Sequence, residues 1–345
     1  MSNMNRCAHA SATSSVKEGS SKAALWRNVA FVFGAMAIGF MVYDIGLQQL
    51  WDNVIAMKGY FFLILFVWGV IYLLNALSWY IIIRDKETIQ VSFARILRLT
   101  ISGYALNYIT PFGLAGGEPY RVMELRRDVA LTKATSSVIL YAMMHVCSHF
   151  FFWLFAVLVF AWFYPQSEAL TYSLSAVVIC CVGLIYLFFK GYKRGLVVSL
   201  TDGLSKIPFL GKRLSCLSPE TREKLQVIDQ EIKQLRGSRL WAFYTSLVLE
   251  FIARMVSCLE VYIIIGVMGQ AISFMDAFII IALSSLFANL LFFFPMQIGT
   301  REGGIYLSLE VLRLNPGISV AVSLITRIRE AFWIAIGILL MKLKN

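Results

Sequence analysis

Two short segments of the chain combine a proline, glycines and opposite charges at matched spacing. They contain the candidate site residues Gly116, Gly117, Glu118 and Arg121 in the first segment, and Gly299, Arg301, Glu302 and Gly303 in the second. In each segment the glutamate lies seven positions after a proline, Pro111 or Pro295. Arginine offers a planar fork of donors that suits phosphate, whereas a carboxylate can hold a cationic group. The two segments therefore predict a site for a ligand that carries a phosphate group.

Both segments interrupt a sequence that is otherwise strongly apolar. The 345 residues are 59% hydrophobic and only 15% charged, with a mean hydropathy of +0.72. Several apolar runs reach about 20 residues, the length that crosses a bilayer. Within a bilayer, irregular backbone and ionisable groups persist only where protein or a water-filled cavity satisfies them. The pattern predicts an all-α integral membrane protein in which the two segments mark a site, as in transporters with paired interrupted helices.

Each segment is also predicted to open a short helix. Pro119 suits the first helical position, because the backbone N–H that proline lacks would have no partner there, and it predicts a helix over 119–128. The pair Gly303-Gly304 predicts a second helix over 304–312. A helix N-terminus favours an anion, and paired glycines allow a bulky group to approach the backbone. We therefore expect the ligand to be an anionic or zwitterionic phospholipid headgroup.

The charge distribution is typical of a membrane protein and not of a nucleic-acid-binding protein. The net charge of +11 arises from basic residues that alternate with apolar runs and form no separate basic domain, so we expect no nucleic-acid partner. Under the positive-inside rule the basic clusters lie in the cytoplasm, and both chain ends with them. The six cysteines lack CxxC spacing, so neither a disulfide framework nor a zinc site is implied. We expect no cofactor and place the protein in the bacterial cytoplasmic membrane.

The distribution of lysine and arginine predicts six full spans and two re-entrant helical hairpins. The spans lie near 29–47, 60–83, 132–163, 168–190, 240–267 and 317–341. The hairpins cover 96–128, which enters from the cytoplasm, and 276–314, which enters from outside. If either hairpin crossed the membrane fully, basic residues would lie on the outer side, against the positive-inside rule.

The apolar segments after the first span, apart from 168–190, form two inverted repeats, 60–163 and 240–341. Each repeat runs span, hairpin, span, and the first span begins 51 residues before the proline in one repeat and 55 in the other. In secondary transporters built this way, the substrate site lies where the repeats meet. Residues 1–28 are predicted as a cytoplasmic N-terminal segment, 29–345 as the membrane domain, and 191–238 as a cytoplasmic loop. This loop is either an amphipathic helix on the membrane surface or a solvated linker.

Further ionisable residues are spaced for contact within one helix or segment. Four pairs of opposite charge are Glu118 with Arg121, Glu302 with Arg301, Glu250 with Arg254, and Glu330 with Arg327. Glu118 and Glu302 are expected to form ion pairs with these arginines or to titrate during transport. The pairs Glu250 with Arg254 and Glu330 with Arg327 can form locally, and these groups either hold helices together or line a polar pathway. His145 and His149 lie four positions apart on a predicted helix. A metal site would need a third ligand, so we favour hydrogen bonding within the bundle or a proton relay.

A resemblance to a known family rests on three features of the sequence. The motif from Asn107 to Arg121, the motif from Pro295 to Gly304, and Arg327 in the last span together resemble the lysylphosphatidylglycerol synthase transmembrane-domain family, also called flippase-like. The likeness implies a lipid-handling bundle with two re-entrant helix pairs. In the best understood members it implies movement of an aminoacylated phospholipid between leaflets. It also implies that the headgroup path is lined by Gly116, Gly117, Glu118, Arg121, Gly299, Glu302, Gly303 and Arg327.

The chain departs from the family pattern in two respects. Full synthases carry a soluble aminoacyl-transferase domain after the membrane part, and none follows before Asn345, so we do not expect this chain to make the aminoacyl lipid. In addition, His145 stands where the inverted repeat places Arg329, since each lies 34 residues past its proline. The charge of the substrate is therefore left open.

These features favour a lipid or lipid-linked headgroup translocase that is not ATP-driven, because the sequence holds no GxxxxGKS/T phosphate-binding loop. The main alternative is a membrane-embedded enzyme, or enzyme subunit, of lipid headgroup modification. A non-transporting scaffold is a third alternative. The sequence shows no clear catalytic constellation, so we do not expect an enzyme. The expected partners are membrane lipids, with a second copy of the chain or a soluble transferase as further candidates.

Overall fold

The computed structural model describes residues 55, 57, 59–84, 91–109, 114–164, 168–194, 227, 229–230, 240–290 and 300–342. These residues are almost entirely helical, and none of them forms a β-strand. The helices are α1 Tyr60–Ile83, α2 Phe93–Ile109, α3 Leu114–Leu125, α4 Leu131–Phe163, α5 Glu168–Arg194, α6 Leu240–Val267, α7 Phe274–Leu290, α8 Thr300–Val311 and α9 Ser319–Lys342. A short 3₁₀ turn, Pro316–Ile318, precedes α9.

The helix boundaries follow the apolar runs of the sequence closely. Helices α1 and α6 begin and end at the predicted residues, and α4, α5 and α9 differ from the prediction by a few residues. The helix pairs α2 and α3, and α7 and α8, occupy the two predicted hairpins. Several predicted features lie outside the described residues, namely 1–28, the span 29–47, most of the loop 191–238, Gly299, and both prolines at the hairpin breaks.

Three helices are clearly apolar and long enough to cross a membrane. They are Tyr60–Ile83, Leu131–Phe163 and the stretch Thr171–Lys190 of α5. Helix α7 is apolar too, but has only 17 residues, or about 25 Å at the usual rise per residue. Long apolar helices with few charges are characteristic of membrane-spanning segments. The described chain is thus an all-helical protein with the apolar helices of a multi-pass membrane protein.

Both short helices begin earlier than predicted. Helix α3 begins at Leu114 and not at Pro119, which lies inside it. The backbone N–H of Gly117 finds a partner in the side-chain oxygen of Asn107, at 2.8 Å, so a donor near the helix start is satisfied without a new helix end at Pro119. Helix α8 begins at Thr300 and not at position 304. The prediction of helix starts at 119 and 304 was therefore wrong.

The first helices of the two predicted repeats, α1 and α6, pack against each other along their length in opposite directions. Near one end, Ser78 Oγ lies 2.7 Å from Ser246 Oγ. Towards the other end, the indole N–H of Trp68 donates to Glu260 at 2.8 Å. Since the later residue of α1 meets the earlier residue of α6, the two helices are antiparallel. Inverted repeats require this relative direction.

The remaining helices pack in a pattern with internal two-fold symmetry. Helix α2 packs on α9 and α7 packs on α4; α1 contacts α2 as α6 contacts α7; and α3 contacts α4 as α8 contacts α9. In this symmetry α1, α2, α3 and α4 correspond to α6, α7, α8 and α9, in that order. Each contact named here then has an equivalent contact in the other half. The pairwise packing is thus the one expected of a duplicated four-helix unit.

Close helix crossings depend on three glycines. A Cβ atom on Gly117 of α3 would lie 2.2 Å from the carbonyl oxygen of Gly103 in α2. A Cβ atom on Gly304 of α8 would lie 2.9 Å from Ser284 Cα of α7. Between α2 and α9, a Cβ atom on Gly337 would meet Ala105 Cβ at 2.5 Å. These distances are too short for any larger side chain, so the crossings of α2, α3, α7, α8 and α9 need glycine at these positions.

A capping box and a tyrosine fix the start of α7 against the end of α4. Ser273 Oγ accepts from the Asp276 N–H at 3.1 Å, and Asp276 Oδ2 accepts from the Ser273 N–H at 2.7 Å. This reciprocal bonding satisfies donors at the helix N-terminus. Tyr164, just after α4, donates its hydroxyl to the other oxygen of Asp276. Burial and this bond raise the pKa of Tyr164 above its ordinary value.

Candidate functional site

Arg121 of α3 is buried in a cage of aromatic side chains. It is 1% exposed, and its Nη1 donates to Glu118 Oε1 at 2.6 Å. Three ring centroids surround the guanidinium carbon: Trp79 at 5.7 Å, Tyr104 at 4.8 Å and Tyr141 at 5.2 Å. Aromatic faces attract a cation most strongly where water is excluded. The predicted pairing of Glu118 with Arg121 is confirmed, and the rings from α1, α2 and α4 hold the arginine in a fixed position.

Neighbouring residues of α2 make room for this pair and orient it. A Cβ atom on Gly103 would lie 2.3 Å from Arg121 Nε, so only glycine leaves space for the guanidinium. Asn107 Nδ2 donates to Glu118 Oε1 at 3.4 Å. The second oxygen, Glu118 Oε2, is buried and has no hydrogen-bond partner in the described part of the chain. A buried carboxylate oxygen without a partner is costly, and it can receive a donor from a ligand.

A second cluster joins α8 to α9. Arg327 Nε donates to Glu302 Oε1 at 2.9 Å, and Ser323 Oγ donates to the same oxygen at 2.8 Å. Arg301 pairs with Glu330. The expected pairs Glu302 with Arg301 and Glu330 with Arg327 were therefore wrong. Residues 301 and 302 are adjacent on a helix and point in different directions, and each instead finds a partner across the interface with α9.

Arg329 forms the most deeply buried ion pair of the described residues, with Glu260 of α6. Its Nε and Nη2 donate to the two carboxylate oxygens at 2.8 and 3.0 Å. The guanidinium carbon lies 3.6 Å from the centroid of the Trp68 ring. Neither charged side chain is more than 2% exposed. This two-pronged geometry with an aromatic cover is the arrangement in which arginine forms strong buried pairs.

His145 of α4 pairs with the other glutamate of α6. Its Nδ1 lies 2.8 Å from Glu250 Oε2 and 3.1 Å from the Tyr104 hydroxyl. The Tyr104 and Tyr141 hydroxyls are 3.0 Å apart, which extends the hydrogen-bonded chain. His149 contacts the His145 ring edge-on at a centroid distance of 5.5 Å. Among the described residues no group of three or more His, Cys, Asp or Glu is arranged to hold a metal ion.

Arg254 turns away from Glu250, its predicted partner. Its Nε donates to Ser148 Oγ at 2.7 Å and its Nη2 to the carbonyl oxygen of His145 at 2.6 Å. Both acceptors belong to α4. The predicted local pair of Glu250 with Arg254 was wrong, because each side chain instead bridges α6 to α4.

The two halves of the site are linked by aromatic contacts. The Tyr72 ring lies 5.7 Å from that of Tyr104 and 6.0 Å from that of Trp68. Tyr104 contacts Arg121, and Trp68 covers Arg329. Trp79 and Trp68 are 11 residues apart on α1, which corresponds to about 16 Å along the helix. The two arginines therefore lie at different depths of one continuous polar and aromatic core.

Exposure separates two classes of predicted site residue. Arg121 is enclosed, whereas the side chains of Glu118, Arg327, Arg301 and Glu302 are 17%, 11%, 23% and 29% exposed. Gly303 has open space where a side chain would project, and Gly117 is closed off by α2. Gly116 is half-buried. The group of Glu302, Arg327 and Arg301 is thus partly open to the surroundings, whereas Arg121 is shielded and bonded to the partly exposed Glu118.

An apolar groove lies beside the polar core, between α4, α5, α7 and α8. Its lining consists of Trp153, Ala156, Val157, Phe160, Leu174, Val177, Ile279, Ala282, Leu283, Leu286 and Val311. At one end, the Trp153 ring contacts His149 at 5.3 Å and its N–H donates to Ser285 at 2.9 Å. A groove with this lining suits a hydrocarbon chain and ends next to the partly buried polar residues His149 and Ser285.

Sequence reasoning did not single out the aromatic residues of the site. Trp68, Tyr72, Trp79, Tyr104 and Tyr141 look like ordinary apolar residues of membrane helices. Tyr104 lies three positions before Asn107 of the first motif and therefore on the same helix face. This spacing is the one feature of the sequence that indicates that Tyr104 is near the site. The roles of these rings depend on contacts between distant segments.

The fold and site define a helical membrane protein with two linked clusters of buried ion pairs. A family model described as the lysylphosphatidylglycerol synthase TM region matches residues 28–337 of the 345-residue chain. The chain belongs to this family, and the resemblance seen in the sequence is confirmed. None of the curated proteins or solved structures compared with it gives a significant match. Membership in the family associates the chain with membrane lipids.

Proposed function

We propose that the protein moves a phospholipid, or a lipid-linked headgroup, between membrane leaflets without hydrolysing ATP. The observation that carries the proposal is the pair of partly exposed carboxylates, Glu118 and Glu302, each bonded to an arginine beside the polar core. Ionisable groups in membrane helices are costly and mark substrate pathways more often than they serve stability. Family membership supports a lipid as the substrate.

The ion pairs suit a headgroup that carries both a phosphate and an amine. The phosphate can take the place of Glu302 on Arg327, and the amine can take the place of Arg327 on Glu302. Such an exchange keeps every buried charge paired, so no step leaves a lone ion in a medium of low dielectric constant. An anionic headgroup that carries a hydroxyl can place its phosphate on Arg327 and donate the hydroxyl hydrogen to Glu302.

Ionisable groups at two levels of α6 would allow the lipid headgroup to cross the membrane in two shorter steps. Glu250 and Glu260 are ten residues apart, or about 15 Å along the helix. The hydrocarbon core of a bilayer is about 30 Å thick. A headgroup that pauses at each level meets polar groups throughout, while its acyl chain remains in lipid or in the groove lined by Trp153 and Leu286.

The packing symmetry supports a mechanism of alternating access. In this proposal, six full spans and two re-entrant hairpins form inverted repeats in the bacterial cytoplasmic membrane, with both chain ends in the cytoplasm. The α2–α9 and α4–α7 contacts are equivalent under exchange of the repeats. Rocking of one repeat against the other would open the core first to one leaflet and then to the other.

Reconstitution into vesicles with an acyl-labelled phosphatidylethanolamine tests the proposal, since dithionite destroys only the label in the outer leaflet. We expect the wild-type protein to expose the inner-leaflet label, and Glu302→Gln and Arg327→Gln to slow this exposure. Losing one charge-assisted bond costs about 1.5–3 kcal/mol, or roughly tenfold to a hundredfold in binding. Glu310→Gln, an exposed position of the same helix, is the matched control.

Outcomes of the same assay separate the proposal from its alternatives. Wild-type protein that leaves the inner-leaflet label protected with every lipid tested would overturn the proposal. A change in headgroup chemistry on mass spectrometry of the recovered lipid would instead indicate an enzyme of headgroup modification. Equal rates for phosphatidylethanolamine and phosphatidylglycerol would show that the amine is not required.

A further inference from the structure

We infer that the His145 and Glu250 pair carries a proton that drives lipid movement, so that the protein is a proton-coupled lipid transporter. The inference rests on the proposed function and adds the ion to which it is coupled. It starts from a difference between the two repeats. Each repeat sends one side chain from its last helix to a glutamate of α6: Arg329 to Glu260 in one, and His145 to Glu250 in the other.

The two pairs differ in the permanence of their charge. Arginine remains protonated under all ordinary conditions, so Arg329 and Glu260 form a fixed neutral pair. Imidazole is the side chain that gains and loses a proton near physiological pH. The pair of His145 and Glu250 therefore alternates between neutral, when the imidazole is protonated, and a net charge of minus one, when it is not.

The hydrogen bonds show where the proton enters. Nδ1 of His145 faces Glu250 Oε2 and the Tyr104 hydroxyl. With Glu250 ionised, Nδ1 holds the hydrogen that is donated to the carboxylate. The additional proton therefore binds at Nε2, and its release from Nε2 leaves a neutral imidazole that still bonds to Glu250.

The surroundings make the charge of this pair matter for packing. Glu250 is 1% exposed, and its Oε1 has no hydrogen-bond partner within the described ranges. Arg254 lies beside the pair, with its Nη2 2.6 Å from the His145 carbonyl oxygen, and its fixed positive charge compensates the deprotonated pair. Binding of the proton therefore adds a positive charge that must be offset by an anion or by rearrangement of the helices that enclose it. Since the pair bridges α4 of one repeat to α6 of the other, its protonation is positioned to bias how the repeats pack.

Other ionisable groups face His145 from the helices around it. They are Tyr104 of α2, Arg121 of α3, Tyr141 and His149 of α4, and Glu250 and Arg254 of α6. The tyrosines and arginines hold their protons near neutral pH. His149 is the one other described imidazole, and its Nδ1 is buried without a hydrogen-bond partner, so it bonds to no carboxylate through that atom.

A pH difference across reconstituted vesicles tests the inference. The vesicles contain acyl-labelled phosphatidylethanolamine, with the membrane potential clamped by valinomycin and equal potassium. If one proton accompanies each lipid, a difference of about one pH unit shifts the steady ratio of label between leaflets by about tenfold. Pyranine trapped inside should report proton movement that depends on the added lipid.

Three variants identify the group that binds the proton. His145→Arg reproduces the fixed charge of Arg329 and should equilibrate label between leaflets without responding to the pH difference. Glu250→Gln should also lose the response, and it preserves side-chain shape if the arginine variant fails to fold. Cys147→Ala, two positions from His145 and outside the network, should respond as the wild type does. Size-exclusion profiles verify that each variant is folded.

The outcomes distinguish this inference from the proposed function. Wild-type protein that equilibrates the label but ignores the pH difference would overturn the proton assignment and leave lipid translocation standing. Protein that moves no label at any pH would overturn both. A response that survives in His145→Arg but disappears in His149→Gln would also overturn the assignment, because the proton would then belong to His149.

Discussion

Arg329 of α9 donates two hydrogen bonds to Glu260 of α6, at 2.8 and 3.0 Å, and so links the last helix of the described residues to α6. The residues are 69 positions apart in sequence and almost completely enclosed. Trp68 covers the guanidinium and donates to the same carboxylate. Three helices, α1, α6 and α9, therefore meet at this pair.

Removing one partner of this pair should be much more harmful than removing both. Arg329→Met leaves a buried carboxylate unpaired, and we expect it to reduce the free energy of unfolding by about 3–5 kcal/mol. The double variant Arg329→Met with Glu260→Met removes the charge altogether and should recover most of that loss. Unfolding in mixed detergent, followed by circular dichroism, measures both. Equal losses in the single and double variants would contradict the assignment of a buried ion pair.

Gly303 and Gly304 should respond in opposite ways to the same substitution. Gly304→Ala places a Cβ atom 2.9 Å from the Ser284 backbone, and overpacking of this kind costs roughly 1–3 kcal/mol. Gly303→Ala meets nothing within 4 Å, and should stabilise the helix by about 0.5–1 kcal/mol. Thermal unfolding in detergent compares the two. If Gly304→Ala proved as stable as Gly303→Ala, the close crossing of α7 and α8 would be wrong.

Glu118 and Arg121 should be essential for lipid movement. Glu118→Gln removes the charge that neutralises Arg121, and Arg121→Ala empties the aromatic cage, so each should abolish translocation in the vesicle assay. The protein should stay folded, since the flanking contacts of α2 with α3 persist. His145→Ala should have a smaller effect on translocation without a pH difference. Wild-type translocation rates in both Glu118→Gln and Arg121→Ala would disprove this site. A greater loss of translocation in His145→Ala than in these two variants would instead place the essential group on α4.

Membrane topology can be read from single cysteines in a cysteine-free background. With both hairpins re-entrant, cysteines at positions 276 and 315 should react with an impermeant thiol reagent added outside intact cells. A cysteine at position 344 should react only after the membrane is opened, because the basic chain end remains in the cytoplasm. Labelling of position 344 from outside would rule out the arrangement of two re-entrant hairpins.

The sequence by itself determined the helices and the local charge pair. Apolar runs between polar segments set the ends of α1 and α6, because a chain in a bilayer must satisfy its backbone within each helix. The pair of Glu118 and Arg121 could also be read from the sequence, since residues three apart lie on one helix face. The prolines and glycines correctly indicated that two apolar segments are helix pairs rather than single helices.

Only the tertiary structure decided the long-range partners. Glu302 could pair with several arginines by sequence spacing, and the packing of α8 on α9 selected Arg327. The aromatic cage of Arg121 combines residues of three other helices, which no local pattern encodes. Gly117 could equally serve a ligand or a helix crossing, and the carbonyl of Gly103 occupies its open side. The physical reason is the same in each case: side-chain type and spacing define what a residue can bond to, whereas the distances between helices define which of those bonds form.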